Sequence, residues 1–379
     1  MRSGILIAPI PAASYSFSII PMKINRIHIQ NLRIIRDSVL EPASGVNIIH
    51  GDNGAGKTSI LEAIYLLGQG KSFRHSDSGP LIRKGEEAAL VVADLQTSAG
   101  GESKLGIKRS SRQFVARSAG QEVSRRSELF RLLPLQLITP QSHELIERGP
   151  ELRRRYLDFG LFHVEQSYHQ VVMSYHRALK QRNSALRAGD IRLARSFNEQ
   201  LVLFANTVLH SRASILSEIE ARLIEFLNGL EFPRGISLKL LQGWKQGLSL
   251  GDALQQSEQQ DLKHGFTSAG VHRSQLKVLL ESAPADKVLS RGQQKLLVYG
   301  LVLSLSRLMM EKTREPPLLL IDDLSAELDE KNSQKVLDYL QTIGMQLFIT
   351  TLDYSRYQVP VNTAVFHVEH GAIFGASRD

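Results

Sequence analysis

The chain has 379 residues, of which 42% are hydrophobic and 22% are charged, and its 46 basic against 38 acidic side chains give a net charge of +8. This composition is typical of a globular protein of two or three domains or lobes, and it excludes collagen-like and wholly disordered classes. The absence of cysteine excludes disulfides, thiol nucleophiles and cysteine-ligated metals, and it favours a cytoplasmic location. The basic excess favours a polyanionic partner, and no apolar run is long enough to predict a membrane-spanning helix.

The first half of the chain is predicted to begin with strands. Residues 1–21 are interpreted as a flexible leader, or as an upstream start before Met22, because prolines interrupt their apolar stretch. Residues 22–50 alternate between apolar and polar side chains, which predicts strands, and residues 58–69 have apolar positions at helical spacing. Residues 88–118 alternate again and are predicted to be rich in β-structure.

The second half is predicted to be mainly helical before it returns to alternating helices and strands. Residues 143–229 have few glycines and indicate several long amphipathic helices with a break at 188–190, whereas 230–290 is mixed and rich in turns. The remaining predicted elements are, in chain order, a helix over 291–313, a buried strand over 317–323, a helix over 327–343 and a strand over 346–351.

A phosphate-binding loop is predicted at residues 51–58, GDNGAGKT, which fit G-x-x-x-x-G-K-[ST] between an apolar strand and an amphipathic helix. The glycines allow backbone N–H groups to surround phosphate oxygens at the start of a helix. Lys57 would reach the β and γ phosphates, and the Thr58 hydroxyl would bind Mg²⁺. The predicted nucleotide-binding residues are Gly51, Asp52, Asn53, Gly54, Ala55, Gly56, Lys57, Thr58 and Ser59.

Two adjacent carboxylates end the apolar strand at residues 317–323, PLLLIDD. A buried strand that delivers an Asp to Mg²⁺ is the usual companion of a phosphate loop. We therefore predict that Asp322 is a metal ligand together with Thr58, and that Asp323 is the catalytic residue that orients or deprotonates the attacking water.

A third motif, LSRGQQK at residues 289–295, is similar to the LSGGQ signature of ABC-type ATPases, with Arg291 in place of the first glycine. The predicted signature residues are Ser290, Arg291, Gly292 and Gln293, at a helix start where a hydroxyl and N–H groups could meet a phosphate. In ABC-type heads this motif faces the γ-phosphate that the other subunit binds.

Further along, SAELD at residues 325–329 is similar to the D-loop of these ATPases, with Glu327, Leu328 and Asp329 as its candidate residues. Thr350 and Thr351 end the next strand where transporters have a switch histidine, so that a γ-phosphate sensor there would be a hydroxyl. Gln136 and Gln141 are both candidates for the Q-loop glutamine, and the sequence does not choose between them.

The whole arrangement resembles the RecF family of bacterial repair and recombination-mediator proteins from about Met22 to the C-terminus. The resemblance includes NLRIIRD at 31–37, KSFR at 71–74, RRRYLD at 153–158 and LKQRNSALR at 179–187. KSFR and RRRYLD are not general ATPase motifs and separate this family from transporter subunits. The chain departs from the family at GVHRSQ (270–275), where the family has a GPHRxD-like stretch, and at Ala326, where it often has Ser.

The resemblance implies an α/β fold: an ABC-type ATPase head, similar to those of Rad50 and SMC proteins but without a long coiled coil. It implies a core lobe from residues 22–135 and 296–379, and a mainly helical second lobe from 136–295 that contains the signature.

The resemblance also implies ATP and Mg²⁺ as cofactors, and an ATP-dependent homodimer in which each nucleotide contacts the partner's signature. It implies weak, DNA-stimulated ATP hydrolysis and binding of double-stranded and gapped DNA. RecR and RecO are the implied partners in loading RecA, and no membrane is involved. The alternative is an ABC-type ATPase subunit of another machine, such as a transporter; a nuclease would need a further acidic metal cluster.

DNA contacts are expected from phosphate recognition, because no base-reading motif is present. Basic residues outnumber acidic ones by eight to two between residues 104 and 131. The candidate DNA-binding residues are Lys104, Lys108, Arg109, Arg112, Arg125 and Arg126, with Arg153, Arg154, Arg155, Lys180 and Arg182 next. For Arg153, Arg154 and Arg155, a structural contact between the two lobes is an equal alternative.

Overall fold

The structure is a computed structural model that describes residues 22–74, 81–97, 101–314, 316–324, 328–355, 357–359 and 363–377. The predicted leader, residues 1–21, lies outside the described residues. The strands are β1 (Met22–Leu32), β2 (Ile35–Leu40), β3 (Val46–His50), β4 (Ala88–Thr97), β5 (Glu102–Ser110), β6 (Phe114–Ser118), β7 (Gln121–Glu122), β8 (Leu135–Ile138), β9 (Ile236–Leu241), β10 (Gln275–Leu280), β11 (Ala283–Pro284), β12 (Leu318–Ile321), β13 (Leu347–Thr351), β14 (Ala364–Glu369) and β15 (Ala372–Ser377).

The helices confirm the predicted change of character after residue 143. They are α1 (Lys57–Gln69), α2 (Arg126–Leu132), α3 (Glu144–Glu147), α4 (Pro150–Val164), α5 (Tyr168–Arg187), α6 (Ile191–Ser196), α7 (Asn198–Asn228), α8 (Leu250–Gln256), α9 (Glu258–His264), α10 (Ala285–Val288), α11 (Arg291–Thr313) and α12 (Glu330–Ile343). The predicted break at 188–190 separates α5 from α6, with Gly189 in a left-handed conformation (φ +76°). None of the helices in the described ranges is long and apolar enough to cross a membrane.

A central six-stranded sheet has the order β15-β14-β3-β13-β12-β8, and only β15 is antiparallel. Strands β3, β13 and β12 are buried on both faces, as expected for parallel strands covered on two sides. Ile48, Leu319 and Ile349 face a core formed mainly with helices α4, α5, α7 and α11. Ile49, Leu320 and Phe348 face the opposite core, which also contains α1 and the antiparallel sheet β2-β1-β4-β5-β6-β7.

Two of the predicted lobe limits fall inside single elements. Strand β8 pairs with β12 along its full length, from Leu135 to Ile138, so the core sheet extends past the predicted limit at residue 135. Helix α11 is continuous from Arg291 to Thr313, so the predicted limit at residue 295 divides one helix. Backbone hydrogen bonding ties each of these elements into one unit.

Candidate nucleotide-binding site

The predicted motifs meet at the carboxyl ends of the parallel strands. The phosphate loop leaves β3, Thr350 is the last residue but one of β13, Asp322 follows β12 and Gln141 lies in the turns after β8. Because β8, β12, β13 and β3 are adjacent and parallel, their ends form one edge, where open α/β sheets bind ligands.

The phosphate loop passes close to the backbone of the C-terminal hairpin. A Cβ atom on Gly51, whose φ is +141°, would lie 2.2 Å from the carbonyl oxygen of Val368, so only glycine fits there. The N–H of Gly371 donates to the carbonyl of Ala55 over 2.8 Å and holds the loop from the same hairpin. The β14–β15 hairpin is therefore a support of the nucleotide site that the sequence motifs did not reveal.

The start of α1 is arranged for an anion. Its N-cap is Gly56, with φ +119° and no capping side chain, so the first N–H groups of the helix are not occupied by a side-chain cap. Asp52, Asn53 and Gly54 are exposed, whereas Ala55, Gly56 and Ser59 are buried.

The backbone of the phosphate loop holds the Lys57 side chain in place. Its ammonium group donates to the carbonyls of Gly51 (2.7 Å) and Asp52 (2.9 Å). Partial burial lowers the pKa of Lys57, while the carboxylates of Asp323, Asp322 and Asp52 act in the opposite direction. The ammonium group thus lies where phosphate oxygens could replace carbonyl oxygens as its acceptors.

The predicted metal ligands are in direct contact. The Thr58 hydroxyl donates to Oδ1 of Asp322 over 2.9 Å, although 264 positions separate the two residues. Burial raises the pKa of Asp322, and the hydroxyl donors of Thr350 and Thr58 oppose this shift. A hydroxyl and a carboxylate fit Mg²⁺, which prefers oxygen ligands and usually completes its shell with water and substrate phosphates.

Thr350 is a site residue whose role the sequence did not indicate. Its hydroxyl donates to Oδ1 of Asp322 over 2.8 Å and accepts the backbone N–H of Asp323 over 2.8 Å. It therefore orients both carboxylate residues from the neighbouring strand. The sequence suggested only a γ-phosphate sensor at Thr350 or Thr351, and that suggestion stays a prediction.

Asp323 lies next to this cluster in a left-handed conformation, with φ +58°. Such a conformation costs a non-glycine residue about 1–2 kcal/mol, and the hydrogen bond from its N–H to Thr350 helps to maintain it. The residue is half-buried, and its charge opposes the lowering of the Lys57 pKa that burial causes. Strained residues of this kind often occur at functional sites, which fits the predicted catalytic role.

The two Q-loop candidates have different environments. Gln136 is buried in β8, and its amide donates to the Ser306 hydroxyl over 2.8 Å. Gln141 is exposed beyond the end of β8, on the edge that carries the nucleotide site. The geometry favours Gln141.

The signature lies on the surface at the start of α11. Ser290 is the N-cap, and its hydroxyl accepts the N–H of Gln293 (3.3 Å), whose side-chain oxygen accepts the N–H of Ser290 (2.9 Å). Arg291 forms an ion pair with Glu147, and a Cβ atom on Gly292 would meet no neighbouring atom within 4 Å. Ser290, Arg291 and Gly292 are all exposed, so this helix start is open to a second molecule.

The predicted D-loop is described only in part. Glu327, with Ser325 and Ala326, lies outside the described residues. Leu328 is buried, and Asp329 is the N-cap of α12, where its carboxylate accepts the N–H of Asn332 over 2.8 Å. In this structure Asp329 is therefore a helix cap.

The basic candidates for DNA contact are divided between two surfaces. Lys104 and Lys108 point outward from the antiparallel sheet, and Lys104 pairs with Asp94 over 3.2 Å. Arg109 and Arg126 instead lie over the Phe114 ring, 5.8 and 5.7 Å from its centroid. Arg112 and Arg125 are exposed.

Two arginines from the second group of DNA candidates have structural roles. Arg182 is only 1% exposed and forms an ion pair with Asp261, so the expectation of a DNA contact there is wrong. Arg153 donates to the carbonyls of Leu145, Ile146 and Arg148 and stabilises the turn between α3 and α4.

Taken together, the central sheet, the phosphate loop, the paired carboxylates and the exposed signature define an ABC-type ATPase head of the SMC kind. The family model described as "RecF/RecN/SMC N terminal domain" matches residues 23–373. This chain belongs to the RecF family.

Curated relatives agree over nearly the whole length. The chain is 39% identical to the DNA replication and repair protein RecF of Thioalkalivibrio sulfidiphilus, over 93% of this chain and 99% of that protein. It is 35% identical to the protein of the same name from Pseudomonas putida, over 93% and 98%.

Solved structures of related proteins share this fold. The recombination mediator protein RecF-ATP of the RecFOR pathway superposes with a TM-score of 0.81 at 26% identity, over 96% of this chain and all of that chain. The Smc head domain of Pyrococcus furiosus, at 16% identity and a TM-score of 0.59, shares the fold.

Proposed function

We propose that the chain is an ATP-dependent DNA-binding clamp of recombinational repair and replication. Its relatives are called DNA replication and repair proteins, and a solved relative is described with ATP in the RecFOR pathway. The observation that carries the proposal is the convergence of Thr58, Asp322 and Thr350 beside an uncapped phosphate-loop helix, while the signature lies exposed elsewhere.

ATP binding would use the groups at the start of α1. Backbone N–H groups and Lys57 would hold the β and γ phosphates, and Thr58 and Asp322 would hold Mg²⁺, which neutralises phosphate charge when it is bound. Thr350 would keep Asp322 oriented, and Asp323 would accept a proton from the attacking water. We expect slow hydrolysis that DNA stimulates.

Dimerisation would complete the site. Ser290, Gly292 and Gln293 of a second copy would contact the γ-phosphate and produce a pair of shared nucleotides. A nucleotide whose concentration is one hundred times its dissociation constant stabilises the state that binds it by about 2.7 kcal/mol per site. Hydrolysis would remove the contact that distinguishes the closed state from the open one.

The DNA partner completes the proposal. The clamp would bind double-stranded DNA and junctions of single and double strands through phosphates. It would act in the cytoplasm with RecO and RecR to assist RecA loading. A transporter ATPase remains the alternative from sequence, and no feature of the described residues favours it.

The first test is sedimentation of the pure protein alone, with ATP, and with ATP and a gapped duplex. We expect monomers that become dimers only with ATP and then bind the duplex. A protein that stays monomeric with ATP and does not bind the duplex would contradict the proposed clamp. It would not contradict the assignment of a nucleotide-binding fold.

A further inference from the structure

A group of cations lies where the phosphate-loop helix ends. A Cβ atom on Gly70, the C-cap of α1, would lie 3.2 Å from Phe114 Cζ and 3.3 Å from Arg126 Cγ. Lys71 follows directly, so it emerges from α1 beside the start of α2.

Helix α2 connects this point with α4 of the helical layer. The Arg131 guanidinium lies 5.2 Å from the centroid of the Phe162 ring, and Phe130 packs edge-on against the same ring. Arg155 projects from α4 one helix turn past its start. The cations Lys71, Arg125, Arg126, Arg131 and Arg155, which we call the basic seam, are all exposed.

The seam has an excess of positive charge. Its neighbouring acids are Glu128 on α2 and Glu151, which pairs with Arg155 over 2.6 Å. Partial burial lowers the pKa of Lys71, and the charges of Arg155 and Arg126 lower it further. These three cations, which lie just after α1, on α2 and on α4, therefore repel one another, and a bound anion would relieve this repulsion.

The segment that contains Lys71 is fixed to α1. The Ser72 hydroxyl donates to the buried carboxylate of Glu62 on α1, which Arg33 binds with two hydrogen bonds of 2.7 and 2.8 Å. Phe73 packs edge-on against Tyr65 of α1. Residues 71–74 thus connect the seam with α1, the helix that begins at the phosphate loop.

We propose that Lys71, Arg126 and Arg155 of the basic seam bind phosphodiester groups in the backbone of a DNA duplex, and that residues 71–74 link them to α1 and so to the phosphate loop at its start. The inference rests on the proposed function and assigns DNA to one of the two basic surfaces. A duplex fits better than a free phosphate, because the cations are exposed and distributed over three elements instead of lining one cavity.

The test compares charge-removing variants in binding to a fluorescent gapped duplex with ATP present, over a range of salt concentrations. Loss of one phosphate contact lowers the salt slope by about one and affinity by roughly tenfold at 0.1 M salt. We expect this change for Lys71→Gln and for Arg126→Gln. Lys239→Gln, an exposed lysine of β9, is the matched control and should bind as the wild type does.

Three results would contradict the proposal that the basic seam binds DNA. They are wild-type duplex affinity in both seam variants, an equal loss in Lys104→Gln on the outer sheet, and displacement of the duplex by inorganic phosphate at constant ionic strength. Failure of the wild-type protein itself to bind the duplex would instead reject the proposed function. Unchanged affinity of the variants for a fluorescent ATP analogue would show that their loss is specific to DNA.

Discussion

The helices α1 and α11 both begin at a predicted phosphate contact, but their first turns differ. The N-cap of α1 is a buried glycine without a capping side chain, and a lysine follows it. The N-cap of α11 is an exposed serine in a complete capping box with Gln293. Neither helix has an acidic residue in its first turn, so both starts can accept an anion.

The difference separates a site that holds its phosphate alone from one that requires a partner. At α1 the N–H groups lack a side-chain acceptor, whereas at α11 Ser290 already satisfies the N–H of Gln293. A side-chain cap of this kind stabilises a helix by about 1 kcal/mol. A phosphate must replace that cap at α11, so we expect binding there only when a second subunit presents a phosphate already held by its own loop.

The largest expected effect comes from a change that leaves both helix starts intact. Asp323→Asn should bind ATP and dimerise but lower turnover by about 100-fold or more, because a positioned general base typically contributes 10²–10⁴. Phosphate release and sedimentation measure the two properties. Wild-type turnover would reject the role of Asp323 as the base.

Lys57→Ala tests the phosphate contact expected at the start of α1. Removal of the ammonium group should weaken nucleotide binding by about 100-fold, because a hydrogen bond to a charged group contributes about 1.5–3 kcal/mol and the phosphates carry several charges. Titration with a fluorescent ATP analogue measures this loss, and Lys84→Ala, at an exposed position, is the control. Unchanged ATP-dependent dimerisation would contradict the assignment of the phosphate loop.

The α11 side is tested by Ser290→Arg. The variant should bind ATP with wild-type affinity and fail to dimerise, because the larger side chain fills the surface that a partner phosphate would approach. Ser290→Thr keeps a capping hydroxyl and is the matched control. A normal ATP-dependent dimer of Ser290→Arg would show that the two helix starts do not meet across subunits.

The smallest effect is expected for Thr350→Val, which removes both hydrogen bonds of the hydroxyl with little change in volume. Loss of an outer-shell partner typically costs 10–100-fold in metal affinity, and we expect about tenfold because Thr58 still contacts Asp322. The Mg²⁺ dependence of ATP binding measures this effect. If Thr350→Val has the wild-type Mg²⁺ dependence, the hydroxyl does not position Asp322.

The sequence predicted most of the elements because their patterns are local. The strand–loop–helix around Gly51–Thr58 and the apolar strand before Asp322 can be recognised within a dozen residues. Gln136 and Gln141 could not be separated in this way, since both are polar residues near one short strand. Only the pairing of β8 with β12 buries the first and leaves the second beyond the strand end.

The sequence also could not separate the roles of individual basic residues. Lys104 and Arg126 belong to one positively charged stretch of sequence, but strand alternation directs Lys104 away from the core while Arg126 packs on Phe114 beside the end of α1. Arg182 could not be recognised as a buried ion pair because its partner, Asp261, is 79 residues away.

By itself, the sequence determined the class of protein: glycine spacing, an apolar strand ending in two carboxylates and a serine at a helix start are short-range requirements of phosphate and metal chemistry. Only the tertiary structure decided that Thr350 orients Asp322, that the β14–β15 hairpin supports the phosphate loop, and that Gly70, next to Lys71, lies beside Arg126. These contacts join residues tens to hundreds of positions apart, so they depend on strand order and helix packing.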